Sequence, residues 1–222
     1  MCVEAAVCAA LGLPHNDDPG CVTESVRTFK IRFNDSSGWA SPASRAYHLR
    51  ALGIAQLGSK DVVSSREFVI RLAKTIIQHV LPRVCREVCP GQFKPWVDAC
   101  EQEGTEIAAK ALVLAFDTTA GLQGPGHVFK AAGTTSPRSV RNVVARAVET
   151  AMWATTKASR ATETTATETA AFLAAETIEL ATYAIEEAKG RQADPEIYLR
   201  LVATLVLDIL RDLKSPGVAW IS

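Results

Sequence analysis

The chain has 222 residues, with 24 basic and 24 acidic side chains and no formal net charge. Hydrophobic residues make up 48% of it, too many for a disordered charged tail, and the charge balance withholds the positive surface on which a dedicated nucleic-acid binder depends. Only 6% of the residues are aromatic, so much of the apolar content is alanine, which packs by close backbone approach and favours helices.

Six cysteines are too few for a disulfide scaffold of this length. The apolar run 3–13 carries Glu4, lacks a basic leader and ends in Pro14. The stretch Leu199 to Leu210 is too short for a bilayer and is interrupted by Arg200 and Asp208. These features predict a cytosolic protein with reduced thiols and no membrane association.

In chain order, residues 3–11 make a short apolar helix stopped by Gly12 and Pro14. Thr23 is placed to cap a helix over 24–33, which the turn residues 34–38 end. Leu49, Leu52 and Leu57 give helical spacing over 44–57. Ser64 and Glu67 match a capping box for a helix to Cys89, with Phe68, Leu72, Ile76, His79 and Val80 on one face and Pro82 dividing it. A further helix is expected over 96–117.

The glycine-rich segment 119–137 reads as the one long loop. From Arg138 to Lys189 there is no glycine and no proline. A continuous helix there would be about 78 Å long, against about 45 Å for the width of a compact domain of this size. The threonines of 161–170 weaken a helix by about 3 kcal/mol in all. The segment is therefore expected to be a long helix or, preferably, a hairpin broken near 162–168. Arginines and lysines precede the threonines and glutamates follow them, so the two halves are expected to attract each other. Asp194 is placed to cap the last helix, with Pro195 at its first position, and 218–221 is expected to pack back as an apolar latch.

Reactive side chains concentrate at the start: Cys2, Cys8, His15, Asp17, Asp18 and Cys21. Cys2 stands at a helix N-terminus, where the dipole lowers a thiol's pKa, and His15, His48, His79 or His127 could supply a base. Cys8, His15, Asp17 and Cys21 could supply four metal ligands, but their spacing matches no common zinc pattern. Cys85, Cys89 and Cys100 form a second thiol cluster, with the first two one helical turn apart. Neither is favoured as a metal site, because buried cysteines more often act as small hydrophobes. Phosphate binding at Gly121-x-x-Gly-Pro-Gly, ahead of Arg138 and Arg141, lacks the preceding strand that such loops require. Pro14, Pro19 and the Asn-Asp-Asp run between them also read as a stiff turn between two helices.

The block CVEAAVCAALGLPHNDDP resembles the opening of papain-like cysteine peptidases of the bacteriocin-processing type. That resemblance, over residues 2–19, implies Cys2 as nucleophile with a histidine carried on an antiparallel sheet. The sequence after residue 120 shows no strand pattern, and 126–128, around His127, is the one segment that could carry it. The opening block, Arg32-Phe33-Asn34-Asp35, the alanine-rich middle and the closing RDLKSPGVAW together resemble a family of uncharacterised, mostly helical phage and bacterial proteins, which implies no established activity.

The expectation is one all-α domain over 1–222 with about seven to nine helices: N-terminal helices over 1–118, the loop 119–137, and long C-terminal helices over 138–222. The expected role is that of a non-enzymatic helical interaction protein with no cofactor, whose partner is another protein or a second copy. The alternative is a cysteine-dependent hydrolase using Cys2 with His15 or His127.

Overall fold

Glycine and proline punctuate this chain, and the computed structural model, which describes residues 3–14, 18–120, 137–160 and 164–221, places helices between them. These are α1 (Val3–Ala10), α2 (Glu24–Asn34), α3 (Pro42–Ala55), α4 (Ser65–Thr75), α5 (Leu81–Val88), α6 (Lys94–Glu103), α7 (Glu106–Ala120), α8 (Pro137–Arg160), α9 (Thr164–Lys189) and α10 (Glu196–Asp212). A π turn, Ile76–Val80, joins α4 to α5, so the two form one rod and the described residues hold nine helices in all. Among the described residues there is no strand, and the all-α expectation holds.

The π turn has a local cause. Pro82 offers no N–H, and its ring would clash with the carbonyl four residues back in an α-helix. Widening the preceding turn, with the Leu81 N–H bonded to the Ile76 carbonyl, admits the proline without ending the rod. His79 lies on the exposed side of this turn rather than on the apolar face with Phe68 and Leu72.

Several boundaries differ from the sequence reading. The helix expected over 96–117 is two helices, because Gly104 adopts φ 60° at the end of α6 and turns the chain into α7. A Cβ there would meet the Lys74 side chain at 2.9 Å, so the turn is pressed against α4. α3 begins earlier than expected, with Ser41 Oγ accepting from the Ser44 N–H and Pro42 in the first turn. Ser64 does cap α4, but Glu67 reaches Arg71 instead of closing the box. Thr23 stands at the α2 N-terminus without a capping bond. Its hydroxyl donates to the Ser59 carbonyl at 2.8 Å and ties α2 to the loop before α4.

The segment 138–189 is a hairpin: α8 ends at Arg160 and α9 begins at Thr164, slightly before the expected break. Thr167 and Thr169 lie inside α9, their hydroxyls bonded back to helix carbonyls, which satisfies them without a partner helix. The seam between α8 and α9 is built on Ala147, Ala151, Ala154, Ala170, Ala174 and Ala181, all enclosed. The expected charge attraction is not what closes it. None of the ion pairs among the described residues joins α8 to α9. Small side chains bring the two backbones together, and the charges stay on the outer stripes.

The helices form two layers. In the first, α7 packs on α8, α8 on α9 and α9 on α2. In the second, α6 packs on α5, the α4–α5 rod lies under α8 and α9, and α10 bridges α4 to α3. Phe29, Phe33, Phe68, Leu72, Ile76, Ile77 and Ile178 fill the space between them.

Residues Ser215 to Trp220 close the second layer against the end of α3. Ser215 Oγ donates to the Ala55 carbonyl and the Gly217 N–H to the Leu57 carbonyl. Gly217 is required because a Cβ would sit 2.0 Å from the Ile54 oxygen. The latch works through these backbone contacts and through Val218 and Ile221, which pack on the core, whereas Trp220 of the expected apolar latch 218–221 is 65% exposed. Asp194 makes no capping bond to α10.

Candidate functional site

α2 faces inward with Val26, Phe29, Lys30 and Phe33, which leaves Arg27, Thr28, Ile31, Arg32 and Asp35 on its outer side. Beside them on α9 stands Phe172, a large ring amid alanine and threonine. Together with Asp18 these residues line an open groove of about 380 Å³ whose walls are mainly apolar.

The two guanidinium groups of the groove are already neutralised. Arg27 pairs with Asp18 at 2.7 Å, and the Gly20 N–H bonds the same carboxylate at 3.1 Å. That backbone bond is the main cause holding Asp18 below the ordinary carboxylate value, and Arg27 adds to it. Arg32 pairs with Glu179 and lies over the Phe172 ring, 5.6 Å from its centroid. With both cations occupied, the groove does not present an anion site. Its floor of Thr28, Ile31 and Phe172 suits an apolar side chain from another molecule.

The residues singled out from sequence fare differently. Cys2, His15, Asp17 and His127 lie outside the described residues, as does the segment 121–136 with its glycine-rich run. Cys8 is fully buried and Cys21 half-buried. Cys85, Cys89 and Cys100 are buried between α5 and α6. Burial pushes the Cys85 thiol up, with the neighbouring thiols Cys89 and Cys100 adding to it, and burial with Glu103 pushes Cys100 up to about 12. Such thiols stay protonated and act as small hydrophobes. Among the described residues no three His, Cys, Asp or Glu side chains come together as a metal site. Outside the thiols, Arg86 pairs with both Asp98 and Glu101, clamping α5 to α6.

His48 belongs to a different cluster. Its Nε2 stands 3.5 Å from Glu196 Oε1, and its ring stacks on Trp39. Ser44 Oγ donates to the same Glu196 oxygen, and the Ala40 N–H donates to Oε2 at 2.8 Å. Serine and histidine therefore share one carboxylate, so the imidazole does not receive the serine proton and no nucleophile is activated. The cluster fixes the start of α3 to the start of α10.

Of the residues that line the groove, Asp18 alone was among the reactive side chains singled out from sequence. Two signals could have pointed to it: an isoleucine on the polar side of α2, and one phenylalanine amid alanine and threonine in α9. Comparison of the chain with protein-family models, with curated proteins and with solved structures finds no match.

Proposed function

We propose that the protein is a non-enzymatic helical interaction protein, cytosolic and of phage or bacterial origin, that binds another protein through the outer face of its first layer. The observation that carries this reading is the groove between α2 and α9: its floor is apolar, and its arginines are already paired. An apolar side chain on a partner helix fits such a floor, whereas a small anion would have to displace a carboxylate first. Aromatic and arginine side chains at the same spot are the residue types that most often anchor protein interfaces. The origin rests on the resemblance of the chain's two ends to helical phage and bacterial proteins.

A photoreactive benzophenone residue in place of Phe172, tested in extracts of the source cells, checks the reading. The expected outcome is a protein adduct that disappears when Ile31→Asp is added, with none from the same group in place of Tyr47 on α3. Equal yields from both positions, or no adduct, would overturn it.

A further inference from the structure

We infer that the groove between α2 and α9 receives a basic amphipathic helix, which sets apolar residues on Ile31 and Phe172 and lysines or arginines on the carboxylates that border them. The inference rests on the docking reading above and supplies the chemistry of the partner.

Shape selects a helix. Phe172 and Tyr183 are 43% and 45% exposed and stand eleven residues apart on α9. Eleven residues make about three turns, so the two rings share one face at a separation of about 16 Å. Phe172 belongs to the groove, with Ile31 opposite it on α2, and Tyr183 continues that face toward the end of α9. Tyr47, Trp96 and Trp220 are also exposed, but none of them lines the groove. A trough between two packed helices seats a third, whose anchors recur every three to four residues.

Charge selects a basic one. Pairing cancels Arg27 against Asp18 and Arg32 against Glu179. Glu168 and Glu176 stand one turn to either side of Phe172, and Glu187, which accepts from the Tyr183 hydroxyl, stands one turn beyond that ring. Asp35 adds a fourth carboxylate at the end of α2. No ion pair among the described residues takes up any of these four. Against them stand Lys60, whose charge reaches Asp18, and Arg45, held by the Asn34 carbonyl. Arg146, Lys157 and Arg160 belong to α8, across α9 from the groove. The border is therefore acidic. A basic partner gives each carboxylate a counter-charge, whereas an anionic lipid surface would be repelled. Exposed pairs add little affinity singly, so the rings hold the helix and the carboxylates choose it.

Two labelled helical peptides, titrated against the full chain by fluorescence anisotropy, test the choice. Both carry leucines at i, i+4, i+7 and i+11, so that the outer two match the spacing of the rings. One has lysines at the flanking positions and the other glutamates. The lysine peptide should bind at least about tenfold more tightly at about 0.15 M salt, and the difference should shrink at about 1 M, where the Debye length is about 3 Å. Phe172→Ala should weaken the lysine peptide about tenfold. Glu168→Lys with Glu176→Lys should reverse the preference, while Glu103→Lys with Glu106→Lys, at the junction of α6 and α7, should leave it unchanged. Each variant should keep the helical circular dichroism of the parent.

Equal binding of the two peptides would overturn the basic partner, as would a preference that both charge reversals move or that neither moves. A doubled mass of the unaltered chain in light scattering, halved by Glu168→Lys with Glu176→Lys, would also overturn it and give the groove to a second copy. If the peptides fail while position 172 still crosslinks in a manner that Ile31→Asp abolishes, the basic partner falls and the docking reading stands. If the crosslink fails as well, both fall.

Discussion

The ring cluster beneath α2 and the alanine seam between α8 and α9 are equally enclosed, yet they are filled in opposite ways. Phe29 stacks on Phe33 at 5.2 Å and meets Phe68 edge-on at 6.3 Å, so three rings set the spacing of α2 and α4. In the seam, Ala147, Ala151, Ala154, Ala170 and Ala174 let two backbones approach until almost no side chain separates them. The first region holds its helices apart with volume; the second holds them together by lacking it. One region is therefore sensitive to loss of atoms and the other to their gain.

The largest effect belongs to the rings. Phe29→Ala removes a fully buried side chain whose two ring partners are fixed by their own helices, so the cavity cannot close. The expected loss is about 3–5 kcal/mol, read as a lower urea midpoint with an unchanged slope. A loss below about 1 kcal/mol would mean that the rings do not set the spacing of α2 and α4.

The seam should answer to the opposite change. Ala174→Leu adds three carbon atoms where α9 is already covered, and neither helix can move without separating from α2 or α4. Overpacking of this kind is expected to destabilise by about 1–3 kcal/mol. Stability equal to the parent's would show that the seam holds spare volume and that the contrast with the rings fails.

This contrast explains what was legible in the sequence. Apolar periodicity marked α2, α4 and α10 because large side chains recur at helical spacing, and the run without glycine or proline marked the hairpin because length alone forbade a single straight helix. Boundaries set by one backbone position were less visible. Gly104 ends α6 through its left-handed conformation, and Pro82 is absorbed by a π turn; neither outcome follows from composition. The groove was least visible of all. Its residues come from α2, α9 and the turn at Asp18, and only the packing of α9 on α2 brings Phe172 to Arg32. Of the thiols that stood out by chemistry, Cys8, Cys85 and Cys100 are fully enclosed and Cys21 is half-buried.

Neither the three rings nor the alanine seam contains a carboxylate, so acid acts on the contact that does. Glu196 is buried at the meeting of α3 and α10, where it accepts from the Ser44 hydroxyl and the Ala40 N–H and lies 3.5 Å from His48 Nε2. The Ser44 hydroxyl is the main cause holding its carboxyl below the ordinary value of 4.5, with the Ala40 N–H, Arg200 and His48 adding to it. A depressed folded-state pKa means that the ionised carboxylate stabilises the fold above 4.5, and that this stability is lost as pH falls through the folded value. Glu196→Gln keeps the shape and one acceptor but never carries the charge. It should be less stable than the parent by about 1–2 kcal/mol at neutral pH, and the gap should narrow in acid as pH falls through the parent's depressed value and its carboxyl becomes protonated. Urea midpoints for both proteins across the acid range measure it. A gap that persists in acid would assign Glu196 to packing alone, placing the α3–α10 contact beside the rings and the seam; a gap that closes makes its ionised carboxylate the pin between α3 and α10.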